Sequence, residues 1–358
     1  MALKITLAAL LKAMVDQDAS DLHITSGVPP EFRIQGKMIK VKVDTLSPAD
    51  AKELCYSVLT DPQKADFERE FELDFSFALG TIARFRGNLF WQRGSVAGVF
   101  RRIPMEIPEF SQLGLPRVLK DVLKKPSGLI IVTGATGSGK STTLASMLDS
   151  LNREEFGHLI TVEDPIEFVH QHKNCIVNQR EVGADTQSFA HAMKQVLRQD
   201  PDYVLVGELR DYEAIEMALT MAETGHLVFS TLHTNGSVQS INRLVNVFPP
   251  HQQAQVRQLL SSTLQAIISQ TLVPKVQGGR ALACEILIPN IAIRNLIRED
   301  KIHQIYSMMQ TGQGETGMVT MNQSLFNLVR GNVVGRNEAL EFSPYPEELA
   351  KLLASIGK

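Results

Sequence analysis

The 358-residue sequence has little cysteine, little aromatic surface and almost no net charge. Its three cysteines, Cys55, Cys175 and Cys284, lie far apart with no CxxC pair. That spacing argues against a thiolate zinc site and against a disulfide framework. Each reads as a small buried apolar group, and the thiols are expected to be reduced in a cytoplasmic protein. Lys plus Arg number 36 against 39 Asp plus Glu, so there is no global basic footprint for nucleic acid, and no aromatic-basic stripe either. No apolar run approaches the roughly 20 residues of a membrane-spanning helix. The longest, such as Leu129–Val132 and Ile286–Ile288, have the length of core strands. Near the N-terminus Leu7, Leu10, Leu11, Met14 and Val15 are spaced as one face of an amphipathic helix. Asp16, Gln17 and Asp18 follow, where a signal peptide would carry a small-residue cleavage site. We expect no direct membrane insertion, any membrane work being done through a partner.

What is present is ordinary globular composition, with 44% hydrophobic and 21% charged residues. At roughly 150 residues per domain the length suggests about two domains. Residues 1–103 read as a small α+β unit. Ser47-Pro48 opens a helix. Phe71, Leu73, Phe75, Phe77 and Leu79 alternate with polar or small residues as a half-buried strand. A second strand puts Ala83, Phe85 and Leu89 on one face and Arg84 and Arg86 on the other. Pro104, Pro108, Gly114 and Pro116 mark residues 104–116 as a linker. From 117 to 358 the pattern is α/β. Strands are expected at 129–133, 159–163, 175–180, 203–207 and 227–231, alternating with helices, which implies a mostly parallel sheet covered on both faces. After about residue 250 the chain reads as mainly helical, with one strand near 282–288.

Gly134, Ala135, Thr136, Gly137, Ser138, Gly139, Lys140 and Ser141 match G-x-x-x-x-G-K-[ST] without deviation, with an apolar strand before and a helix expected over 140–152, and together with Thr142 they are the candidate nucleotide-binding residues. Glycines let backbone amides turn inward around phosphate, and the helix presents its positive end. Lys140 is suited to the β and γ phosphates and the Ser141 hydroxyl to Mg²⁺. ATP and Mg²⁺ are therefore the expected cofactors. Two further strands end in acids: Glu163 and Asp164 after one, Glu208 after another. In a parallel sheet all carboxyl ends share the edge of the phosphate loop. One acid is then expected to polarise water and one to hold Mg²⁺ through its water shell. Thr231 and His233 end a further strand at that edge, while His226 stands at its start. Phosphoryl transfer also needs a cation on the transition state. Arg84, Arg86, Arg101 and Arg102 in the first domain, and Arg198 and Arg210 in the second, are the candidates.

The stretches Gly134–Ser141, Ile160–Phe168, Val206–Asp211 and Gly225–Thr234 resemble the four ordered Walker A, Asp, Walker B and His boxes of the secretion ATPases, the family that powers type II secretion and type IV pili. Ala292–Glu299 resembles the signature of the retraction branch, and the resemblance runs from about residue 5 to 345. Ala135 and Leu209 depart from residues common in the family, and the tetracysteine motif of the extension branch is absent. The resemblance implies an N-terminal PAS-like domain and a C-terminal RecA-like domain with a helical extension. It implies a homohexamer with ATP between the two domains of a subunit. It implies Glu163 as the water-polarising acid, Glu208 as the Walker B acid, His233 as a γ-phosphate sensor and Arg294 as a residue needed for retraction. It further implies an inner-membrane pilus platform protein as partner, a position at the cytoplasmic face of the bacterial inner membrane, and hydrolysis that drives pilus retraction. The alternatives are an accessory retraction paralogue working with a second ATPase, an assembly or secretion ATPase, and a non-hydrolysing nucleotide sensor.

Overall fold

The structure is a computed structural model that describes residues 5–80, 82–103, 106–311 and 317–355. The chain divides into two compact units, Met1–Glu106 with Glu167–Val169, and Ile107–Ile166 with His170–Lys358. Phe110 and Leu115, within the proline-rich stretch, are buried in the core of the second unit.

The first unit is built on six antiparallel strands: β1 (Asp21–Ile24), β2 (Glu31–Ile34), β3 (Lys37–Lys40), β4 (Glu72–Leu79), β5 (Ala83–Gln92) and β6 (Ser95–Ile103), in the order β3-β2-β1-β6-β5-β4. The helix Leu7–Asp16 starts where Thr6 caps the Ala9 N–H, and it buries Leu7, Leu10, Leu11 and Met14. The helix Pro48–Tyr56 is closed by a reciprocal capping box of Ser47 and Asp50. The core gathers Phe32, Phe67, Phe85 and Phe100. Two elements escape the sequence reading: β1, and the helix Asp61–Glu70, which buries only Phe67 and so shows no apolar stripe.

In the second unit β7 (Gly128–Thr133), β8 (His158–Glu163), β9 (Ile176–Glu181), β10 (Tyr203–Val206), β11 (Leu227–Leu232), β12 (Leu264–Pro274) and β13 (Arg280–Leu287) form one sheet in the order β13-β12-β7-β11-β10-β8-β9. All neighbours are parallel except β12 and β13. Strand β7 is buried throughout, with Leu129 and Ile131 in one apolar layer and Ile130 and Val132 in the other. Each of these side chains contributes about 1.5–3 kcal/mol by leaving water. That burial holds the strand from which the phosphate loop departs. The helical region beyond residue 250 is present, but it is interrupted by β12, which the sequence reading did not contain. Leu264–Pro274 is an apolar, β-branched run with no period of two, a pattern that does not separate a buried strand from a buried helix. All three cysteines are buried and unpaired. Burial pushes the Cys55 thiol up to about 12 and the Cys284 thiol up to about 11.

Candidate active site

The phosphate loop leaves β7 at Thr133 and closes at Gly139, the N-cap of the helix Lys140–Glu154. Gly134 (φ +142°) packs so tightly on β12 that a Cβ there would lie 2.3 Å from the Gln270 carbonyl oxygen. Among the described residues no side chain caps the first turn of that helix, and N–H groups at such a helix start are suited to an anion. Ser141 and Thr142 stand in this turn. Lys140 is buried, and its ammonium donates to the Gly134 carbonyl at 2.8 Å and the Ala135 carbonyl at 3.1 Å. Its charge thus sits within the loop that would receive phosphate.

Parallel pairing brings the carboxyl ends of β8, β10 and β11 to the edge where β7 ends. Glu163 closes β8 and is 9% exposed. Its Oε1 accepts from the Thr161 hydroxyl at 2.7 Å and from Gln179 Nε2 at 3.1 Å. Asp164, next along the chain, is exposed. Glu208 follows β10; its Oε2 accepts from Arg210 Nε at 2.9 Å and its Oε1 lies 3.3 Å from His233 Nε2. Glu208, Arg210 and His233 are therefore one cluster. The Thr231 hydroxyl donates to the Gly207 carbonyl at 2.7 Å and so anchors the loop carrying Glu208.

Three candidates lie elsewhere. His226 precedes β11, at the opposite edge of the sheet, with Nδ1 3.0 Å from the Met221 carbonyl. Arg198 follows the helix Phe189–Val196, which runs back from the carboxyl edge to the start of β10, so it too lies at the far edge, exposed. Arg294 is half-buried on the helix Ile291–Arg298. It donates to the Ser261 and Ser262 carbonyls at 2.7 and 2.9 Å, in the last turn of the helix Pro250–Thr263. These are carbonyls that a helix end leaves without intrahelical partners. Arg294 also reaches Gln265 Oε1 at 3.4 Å, and Gln265 Nε2 donates to the Ser127 carbonyl at 3.0 Å, just ahead of β7. Burial pulls the Arg294 guanidinium below its usual range. In the first unit Arg84 donates to Ser76 Oγ at 2.7 Å, Arg86 lies 3.5 Å from Asp74, Arg101 donates to Asp21 at 2.8 Å and Arg102 to Asp18 at 3.2 Å.

The sequence reading missed Thr161, Gln179 and Gln270. Thr161 was within reach of it, because residues i and i+2 of a strand share a face. Gln179 and Gln270 come from neighbouring strands whose register no local pattern announces.

Six parallel strands with a phosphate loop on β7, between β12 and β11, and with Glu163 and Glu208 at the carboxyl ends of β8 and β10, define a P-loop ATPase of RecA-like architecture. The comparisons with known proteins agree. The model of the type II/IV secretion system protein family matches residues 99–290, more than half of the chain. The type IV pilus retraction ATPase PilT of Pseudomonas aeruginosa is 50% identical over 94% of this chain and 98% of its own. PilU, a type IV pilus ATPase of the same organism, is 40% identical over 97% of this chain and 91% of its own. A crystal structure of the pilus retraction motor PilT with bound ADP superposes with a TM-score of 0.92 at 50% identity, covering 97% of this chain and all of that one. The chain belongs to the type II/IV secretion ATPase family.

Proposed function

We propose that the protein is the ATP-hydrolysing motor of type IV pilus retraction, working as a homohexamer on an inner-membrane platform protein at the cytoplasmic face. The observation that carries this reading is the half-identity to a retraction ATPase over nearly the whole of both chains, with Ala292–Glu299 intact. Among the described residues no helix is long and apolar enough to cross a membrane, which fits a motor that reaches the membrane through a partner.

In this mechanism the β phosphate of ATP lies on the first-turn N–H groups, and Lys140 turns from the loop carbonyls to the β and γ phosphates. Glu163 accepts a hydrogen bond from water, whose oxygen attacks the γ phosphorus in line while the bond to the β-bridging oxygen breaks. The water proton passes through Glu163 to the departing phosphate. Mg²⁺ fits this donor set. Among the described residues no three His, Cys, Asp or Glu groups form a protein-only cage, and Mg²⁺ prefers phosphate, water and one or two protein oxygens. Ser141 would ligate it directly and Glu208 through water, and the ion would neutralise charge developing on the phosphates. His233, paired with Glu208, reads the γ phosphate, and Arg210 beside them stabilises the transition state. Arg84 and Arg86 of the first unit are the further arginines proposed for phosphate contact. Arg198, at the far edge of its own sheet, can serve only a neighbour's nucleotide.

The test is Mg²⁺-dependent hydrolysis by wild type and Glu163→Gln across a protein concentration series, with oligomer mass recorded on the same samples. Specific activity should rise as hexamers form, and the variant should bind ATP without turnover. A deletion strain should carry excess, non-retracting pili; normal retraction would defeat the reading. The 40% identity to PilU favours a second reading, an accessory retraction ATPase. It predicts retraction that persists in the deletion strain with reduced force.

A further inference from the structure

A cleft of about 410 Å³ in the second unit is bordered by Ala135 of the phosphate loop. Its other walls include Gln270 on β12, Glu285 on β13, Tyr306, and Phe342 and Tyr345 of the C-terminal segment. Two buried side-chain acceptors line it. Glu285 is 5% exposed, and its carboxylate takes one hydrogen bond among the described residues, from the Ser237 N–H at 2.7 Å. Gln270 is 2% exposed; its Nε2 donates to the Ser138 carbonyl at 2.8 Å, and its Oε1 has no partner among the described residues. Buried acceptors of this kind are almost always satisfied in folded proteins, and a buried carboxylate calls for a cation or several donors.

Tyr306, Phe342 and Tyr345 give the cleft an aromatic part to its wall. The rings of Tyr306 and Tyr345 stand 4.7 Å apart. The Tyr306 hydroxyl is committed to Glu348, at 3.0 and 3.2 Å. The segment carrying Tyr345 is pinned in place. Asn322 Nδ2 donates to the Tyr345 carbonyl at 3.0 Å, and Ser343 Oγ donates to Asn322 Oδ1 at 2.6 Å. The cleft is thus formed without a ligand, as small-molecule sites commonly are.

We propose that this cleft binds a small planar cation carrying an amidinium or guanidinium group. Its N–H donors would satisfy the Glu285 carboxylate and Gln270 Oε1, and its plane would lie against Tyr306 and Tyr345. The site is an effector site. The other end of the Gln270 side chain holds Ser138, and its backbone carbonyl closes on Gly134. A ligand that fixes the Gln270 amide therefore fixes one support of the phosphate loop. Cation and nucleotide affinities are then linked, by the same factor in both directions.

Benzamidine is the probe, with benzoate as its anionic counterpart, titrated calorimetrically into the full-length protein with and without ADP. Benzamidine should bind saturably and benzoate should not. Glu285→Gln, which keeps an acceptor for the Ser237 N–H, should weaken benzamidine at least fivefold. The factor by which saturating ADP changes benzamidine affinity should equal the factor by which benzamidine changes ADP affinity. Lack of saturable benzamidine binding, equal binding of benzoate, or undiminished binding by Glu285→Gln overturns the proposal. Should that variant fail to fold, Tyr345→Ala takes its place, and undiminished affinity in it overturns the proposal equally. None of these measurements depends on hydrolysis or retraction.

Discussion

Gln179 donates its side-chain N–H to Glu163 Oε1 at 3.1 Å while its own carbonyl oxygen accepts the His170 backbone N–H at 2.7 Å. A backbone N–H can only donate, so His170 dictates which end of the amide faces Glu163. The Thr161 hydroxyl donates to the same oxygen. Two donors on one oxygen fix the orientation of the carboxylate.

Gln179→Leu removes one donor and leaves every phosphate contact in place. We expect kcat to fall about tenfold, equivalent to ~1.4 kcal/mol of barrier, with ADP affinity unchanged within about twofold. A purely structural role for Gln179 would lower stability and leave kcat of the folded enzyme near the wild-type value.

How much of this was legible beforehand depends on range in sequence. The loop Gly134–Ser141 and the acids Glu163 and Glu208 could be read because strand, loop and helix are contiguous, and a parallel sheet fixes which strand ends share an edge. Gln179 could not, because its role depends on the pairing of Thr161 with Gln179 across β8 and β9. Strand β12 was missed for a related reason. Its apolar run is silent about whether it pairs with β7, and only that pairing puts Gln270 beneath the loop. Arg294 was noticed through resemblance; nothing in its local sequence shows that it caps a helix ending some thirty residues earlier.

The two glycines at the front of the loop should behave differently. A Cβ at Gly134 would meet the Gln270 carbonyl at 2.3 Å, a backbone atom that cannot swing away, whereas a Cβ at Gly137 would meet nothing within 4 Å. Gly137→Ala then carries only the strain of a left-handed backbone at φ +80°, roughly 1–2 kcal/mol. Fluorescent ADP titrations should show weakened binding for Gly137→Ala and none for Gly134→Ala. Equal affinities would mean that β12 does not fix the loop.

His170 should make the protein acid-sensitive. It is buried, its Nδ1 has no partner among the described residues, and burial pulls its pKa down from 6.5 to about 4. Lys173 lowers it further, and Asp149 opposes both. Between those two values the unfolded chain binds a proton that the folded chain refuses. Stability is therefore highest above pH 6.5 and falls as the pH drops toward 4, by up to about 3 kcal/mol. Urea unfolding at several pH values should show this slope in wild type and a shallower one in His170→Phe, whose backbone N–H still reaches Gln179. Parallel slopes would assign the acid sensitivity to other groups.

Arg294 separates a structural from a motor role. Its guanidinium spans the carbonyls of Ser261 and Ser262 and touches Gln265, whose amide holds Ser127 just ahead of β7. A lysine keeps the charge but cannot present the fork that meets two carbonyls at once. Loss of hydrogen bonds from a charged donor costs about 1.5–3 kcal/mol, so the melting temperature should fall in the order wild type, Arg294→Lys, Arg294→Ala. Glu163, Glu208 and the phosphate loop lie outside this contact set, and ADP affinity should hold within about twofold. If the Arg294–Gln265–Ser127 path carries the nucleotide-driven motion of β7 to the surface of the helix Ile291–Arg298, a strain with Arg294→Ala will assemble pili and fail to retract them while its purified ATPase still turns over. Hydrolysis and retraction lost together would place Arg294 in the support of the active site.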